Sequence, residues 1–87
     1  MFTNKSTDGR NNICGSAIEL RRKQMNKSQR QLADMLQIAG LDIDKNAIQR
    51  IEAGKRFVTD IELKYFSRVL NLSYHDLLEE SVESELK

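Results

Sequence analysis

The sequence contains no proline and no tryptophan, a single cysteine, a single histidine and only four glycines. Without proline nothing in it forces a helix to break, and with so few glycines the sharp reversals must fall at a few defined points. Cys14 alone cannot form an internal disulfide, and with His75 as the sole imidazole there is no zinc-type ligand set. Cys14 is expected to be a half-buried small apolar residue. His75, next to Asp76 in the first turn of a helix, is expected on the surface. No serine or cysteine has a general-base partner, so no catalytic residue, metal or cofactor is assigned and the chain is not expected to be an enzyme. No apolar run approaches the roughly 18 residues needed to cross a bilayer. The stretch from Met1 to Gly15 is polar rather than charged and then apolar, and the expected location is cytoplasmic.

What is present is charge, 31% of the 87 residues, beside 39% apolar residues, enough for one small core and too little for two. The formal net charge of +1 conceals a segregation. Residues 19–33 set Arg21, Arg22, Lys23, Lys27 and Arg30 against Glu19, and residues 45–58 set Lys45, Arg50, Lys55 and Arg56 against Glu52. The end of the chain reverses the sign, with Asp76, Glu79, Glu80, Glu83 and Glu85 against Lys87. Two basic segments and an acidic tail suit a protein with one face turned to a polyanion, although solvated helix faces would give the same count.

Strand-like alternation is scarce, whereas a Ser or Thr followed three places later by Glu, Gln or Asp recurs at Ser16–Glu19, Ser28–Gln31, Thr59–Glu62 and Ser73–Asp76. That spacing predicts capping boxes, in which each side chain of the pair satisfies a backbone N–H of the other end. Asp44 is the expected cap of a further helix, where its carboxylate meets the positive end of the helix dipole. Gly40 and Gly54 are expected to end the second and third helices in left-handed conformations. Leu32, Met35, Leu36 and Ala39 form the apolar stripe of the second helix, Ile48 and Ile51 that of the third, Ile61, Tyr65, Phe66, Val69 and Leu70 that of the fourth, and Leu77 and Leu78 that of the fifth. The expectation is an all-α domain of five short helices over residues 13–79, with a flexible segment 1–12 and an acidic tail 80–87.

Between Ser28 and Lys55 the chain reads Ser28-Gln29, Leu32-Ala33, a connection, then Ile48-Gln49-Arg50-Ile51-Glu52-Ala53-Gly54-Lys55. This resembles the lambda-repressor-like, Cro/cI-type (XRE) helix-turn-helix family, and the likeness extends over about residues 13–79. It implies a five-helix DNA-binding domain whose third helix enters the major groove. Small Ala33 permits a close crossing of the second and third helices. Since Ile48 and Ile51 face inward, Lys45, Asn46, Gln49 and Arg50 face outward, and these are the donors that read adenine and guanine edges. Lys55 and Arg56, just past that helix, are expected at the phosphate backbone, with Arg30 and, more weakly, Lys27 on the same side. The resemblance further implies that Gln29 clamps a phosphate at the positive end of the second helix and that Arg22 pairs with Glu52 to join the first helix to the third. The chain departs from the family in carrying Arg21 and Lys27 where apolar residues are usual. It also separates Ala33 from Ile48 by 15 positions, longer than the usual connection, with Leu41 and Ile43 expected to plug the extra length into the core.

These residues imply a sequence-specific regulator of transcription, a repressor, bound to double-stranded DNA as a homodimer, because a single recognition helix covers too few base pairs for selectivity. Two alternatives remain open. One is the DNA-binding antitoxin of a toxin–antitoxin pair, holding its toxin through the acidic tail or the fifth helix. The other is a protein-interaction adaptor that kept the fold and lost the DNA face.

Overall fold

The structure is a computed structural model that describes residues 9–79. The expected acidic tail at 80–87 and most of the N-terminal segment lie outside the described residues. Within them the chain forms four complete helices, α1 (Gly15–Gln24), α2 (Gln29–Ala39), α3 (Lys45–Glu52) and α4 (Asp60–Leu70). A fifth, α5, is helical over residues 74–79. The described residues include no strand, as expected of this all-α sequence.

The helix starts follow the side-chain oxygens, with one exception. Ser28 and Thr59 complete reciprocal boxes with Gln31 and Glu62, Ser73 does the same with Asp76, and Asp44 accepts the Ala47 N–H at 2.8 Å. The box expected at Ser16–Glu19 does not form. Helix α1 begins earlier, and Asn12 Oδ1 accepts the Gly15 N–H at 2.8 Å. Ser16 is left exposed inside the first turn, and Glu19 reaches forward to Lys23 at 3.4 Å.

All four complete helices end in the same reversal, in which an N–H bonds a carbonyl five residues back: Lys27 to Arg22, Leu41 to Leu36, Lys55 to Arg50 and Leu72 to Ser67. The reversal needs one residue at positive φ. Gly40 and Gly54 supply it as expected, while Asn26 and Asn71, at φ 57° and 54°, supply it after α1 and α4. Asparagine tolerates this region better than other side chains do.

One core joins the helices, with α2 and α4 packed together and both α1 and α2 packed on α3. Its centre is Ile18, Leu36, Ile48, Ile51 and Phe66, with Cys14, Leu32, Ala33, Ile43, Leu70 and Leu77 around them. Cys14 is therefore fully rather than half buried, and desolvation pushes its thiol up to about 11, so it stays protonated and inert at neutral pH. Ile61 departs from the expected stripe of α4. It is 65% exposed, and Leu63 packs on the core in its place.

The long connection between α2 and α3 is anchored by apolar contacts and by a polar side chain. Ile43 is buried and Leu41 packs on the core, as expected. In addition Gln37 donates from Nε2 to the Ile43 carbonyl at 2.7 Å, which holds the loop against α2. Arg21, where the resemblance would put an apolar residue, donates to the last carbonyl of α4, Leu70 O, at 2.9 Å, placing a cation at the negative end of that helix.

Candidate nucleic-acid interface

Helix α3 is short, about 12 Å at 1.5 Å per residue, and its two sides differ completely. Ile48, Ile51 and Glu52 are buried, whereas Lys45, Asn46, Gln49, Arg50 and Ala53 are exposed. Positions 45, 46, 49, 50 and 53 repeat at one-turn intervals and form a single outward ridge. The four base-reading candidates stand together on this ridge. None of their side chains is held by a hydrogen bond or ion pair to another described residue.

The ridge is fixed in orientation from behind. Arg22 of α1 meets both carboxylate oxygens of Glu52, Nε to Oε2 at 2.7 Å and Nη2 to Oε1 at 2.9 Å, with its third nitrogen donating to Lys27 O at 2.8 Å. Both residues are under 10% exposed. The carboxylate bond holds the guanidinium in its charged form more strongly than burial disfavours it. Gln29 completes the network, donating from Nε2 to Glu52 Oε1 at 3.0 Å. The first helix, the turn after it, the start of α2 and the end of α3 therefore share one planar cluster of charge-assisted bonds. Ala33, 2% exposed, lets α2 lie close against α3. On the α1 side the matching small residue is Gly15, where a Cβ would run into the Ile51 carbonyl oxygen.

The expected phosphate-contacting residues divide. Arg30 and Lys55 are exposed, and among the described residues neither side chain has a partner. Gln29 is half buried and joined to Glu52, which leaves one amide hydrogen and its backbone N–H, in the first turn of α2, without an acceptor among the described residues. Arg56 is engaged within the protein. Its guanidinium grips Glu62 through two bonds, Nη1 to Oε1 at 3.1 Å and Nη2 to Oε2 at 2.9 Å. Glu62 is held in place because it also closes the capping box of α4. Burial alone would raise the Glu62 pKa, but the bonds from Arg56 and Thr59, with the Arg56 charge, outweigh it and hold the carboxyl below its ordinary range. Arg56 therefore joins the loop after α3 to α4. Lys27 is half buried, and its backbone carbonyl is used by Arg22.

The local field is mixed at one end. A cleft between α2 and α3 is lined by Arg30 and Lys45 but also by Asp34 and Asp44. These carboxylates offset the two cations, and the unopposed positive charge lies at the other end, on Arg50 and Lys55.

The largest surprise lies before α1. Residues 10–12, expected in the flexible segment, form a strap across the C-terminal end of α3. Arg10 Nη2 donates to Glu52 O at 2.9 Å, and Asn11 donates from N to Gly54 O at 2.8 Å and from Nδ2 to Lys55 O at 3.0 Å. Asn12 Nδ2 serves Ile51 O at 3.0 Å and Arg56 O at 2.7 Å. Residues 10–12 are therefore tied to the end of α3 and the turn after it. These bonds span 39 or more positions, and no local pattern announces them.

An α2 crossed by an outward-ridged α3, in a bundle with no strand among the described residues, defines a helix-turn-helix DNA-binding domain. A helix-turn-helix family model of the Cro/C1 type, the XRE family, matches residues 18–77, more than half of the chain, and the protein belongs to that family. Comparison with curated proteins and with solved structures gave no significant match. Domains of this family bind DNA and are not enzymes. Among the described residues no helix is long and apolar enough to cross a membrane, and no group of His, Cys, Asp and Glu could hold a metal ion.

Proposed function

We propose that this chain is a sequence-specific repressor of transcription that reads the major groove with Lys45, Asn46, Gln49 and Arg50. The observation that carries the reading is the α3 ridge: four adjacent donor-bearing side chains, exposed and unpaired among the described residues, on a helix whose back is fixed by Ile48, Ile51 and the Arg22–Glu52 pair. Asn46 and Gln49 have the amide geometry for adenine, and Lys45 and Arg50 the donors for guanine. Arg30, Lys55 and the remaining donors of Gln29 contact phosphates, which sets register and affinity but not sequence. The protein acts as a homodimer on two half-sites about 34 Å apart, with α5 and the end of α4 as the contact. Tyr74, 53% exposed at the start of α5, supplies apolar surface there. Bound over a promoter, such a dimer excludes polymerase.

The test begins with selection of bound sites from a random duplex library, followed by titration of the preferred duplex and a scrambled one. Gln49→Ala should lose about 1–3 kcal/mol on the preferred site and little on the scrambled one. Lys55→Ala should weaken both alike. Equal losses for Gln49→Ala on the two duplexes would remove α3 from the reading of sequence, and a monomer on a half-site by native mass measurement would remove the dimer.

A further inference from the structure

We propose that the strap at residues 10–12, which lies outside the stretch matched by the family, is part of the DNA-binding machinery: it positions Lys55 against the phosphate backbone and cancels the negative end of the recognition helix. The inference rests on the DNA-binding reading above and deepens it. A helix ends in unpaired carbonyls carrying partial negative charge, and α3 ends where the basic segment turns toward Lys55. The N–H groups of Ala53, Lys55 and Gly54 serve Gln49 O, Arg50 O and Ile51 O, so the carbonyl that depends on the strap is that of Glu52, the last residue of α3. The strap supplies its donor and adds others along the loop that follows. The carbonyls of Ile51, Glu52, Gly54, Lys55 and Arg56 all accept hydrogen bonds from residues 10–12. One of these donors is the guanidinium of Arg10, a full positive charge on the last residue of α3. Its side chain lies over Gly54, where a Cβ would come within 2.8 Å of it, so the positive φ of that glycine and the strap fit one another.

Asn11 is the link to Lys55. It holds Gly54 and Lys55 through their two carbonyls, so the backbone on both sides of the Lys55 N–H is fixed while the ammonium stays in solvent. Asn11 does so although its own Oδ1 is buried without a partner among the described residues, an arrangement that costs stability and argues for a role besides stability. Asn12 joins the same loop to α1, accepting the Gly15 N–H while donating to both ends of the turn. Asn11 and Arg10 are thus positioning residues that act through Lys55 and through the helix end.

Titration of the full chain with the preferred and scrambled duplexes, over a range of salt and below the melting temperature of every variant, tests this. Lys55→Ala should lower the slope of log K against log salt by about 0.9, one phosphate's worth. Asn11→Ala should lower it by a similar amount, and the double variant by no more than Lys55→Ala alone. Additive losses, or an Asn11→Ala that melts earlier with an unchanged slope, overturn the positioning role. Arg10 gives an independent arm that decides the matter should Asn11→Ala fail to fold. Arg10→Met should weaken both duplexes by about two- to five-fold, the range of one charge at a helix end, and Arg10→Lys should restore most of that. Arg10→Met binding like the unsubstituted chain overturns the charge role. If the unsubstituted chain binds no duplex at low ionic strength, the DNA-binding reading falls and this inference with it. An intact complex with additive losses overturns the inference alone.

Discussion

Replacing Arg22 by methionine keeps the length of the stem and removes the charge, and it would leave Glu52 as a carboxylate with a side chain only 3% exposed. Of the three hydrogen bonds that Glu52 Oε1 and Oε2 accept from side chains, two come from Arg22 and one from Gln29. The variant therefore strands a buried charge on a single neutral donor and also unpairs Lys27 O, which Arg22 Nη1 serves. Stranding one half of a buried pair costs about 3–5 kcal/mol, against a total stability of about 5–15 kcal/mol for a domain of this kind. At 4–8 °C per kcal/mol for a small domain, the melting temperature should fall by at least about 12 °C. Urea melts followed by far-ultraviolet circular dichroism measure this directly. The control is Arg22→Met with Glu52→Leu, which removes both charges and fills the space with apolar atoms, and it should recover most of the loss. A single variant that loses less than about 1 kcal/mol, the range of an exposed pair, would refute the claim that this pair locks α1 to α3. A double variant as unstable as the single one would show that shape, not stranded charge, sets the cost.

Gly15→Ala should destabilise by about 1–3 kcal/mol in the same urea melts, because the added methyl meets the Ile51 backbone carbonyl, which cannot rotate away. Gln37→Ala should cost about 1 kcal/mol through loss of the bond to Ile43 O, and it should increase amide hydrogen exchange in residues 41–44 more than elsewhere. Glu62, whose pKa is lowered on folding, contributes stability that is present above its ordinary value of 4.5 and is lost as pH falls through the lower folded value. Melting temperature should therefore drop below about pH 4.5, and Glu62→Gln should flatten part of that fall; an unchanged acid limb would mean that the Arg56 bond does not persist in solution.

What the sequence made legible was whatever depends on neighbours along the chain. Capping boxes span three positions and apolar stripes span three or four, so Ser28, Asp44, Thr59 and Ser73 could be read as helix starts without a structure. The inward turn of Ile48 and Ile51 settles by periodicity alone which residues of α3 face out. The misses share one property: each depends on something far away. Ser16 has the right spacing, but Asn12, tied to α3, already starts the helix one residue ahead of it. Ile61 has the right period, but it stands exposed at the start of α4 and Leu63 packs on the core instead. The bond from Arg56 to Glu62, steadied by Thr59, went unread for the same reason. Asn26 and Asn71 carried a local signal that was there to be used, since asparagine just past an apolar stripe is the usual substitute for a C-terminal glycine.

The connection between α2 and α3 is one of several places that hold the ridge. Added residues between two packed helices cost little in loop entropy, so the question is only whether α3 keeps its angle. Its angle is set also at points that such residues would not touch. Glu52 is held by Arg22 and Gln29, Ile48 and Ile51 by the core, and the carbonyls at the C-terminal end by residues 10–12. Between Gly40 and Asp44 the connection is held because Ile43 is buried and its carbonyl is taken by Gln37. α3 is thus held at its C-terminal end as well as from the turn that gives the fold its name. Substitutions at Arg22, Glu52 or Asn12 should accordingly alter DNA affinity more than lengthening the chain by a residue between Gly40 and Asp42.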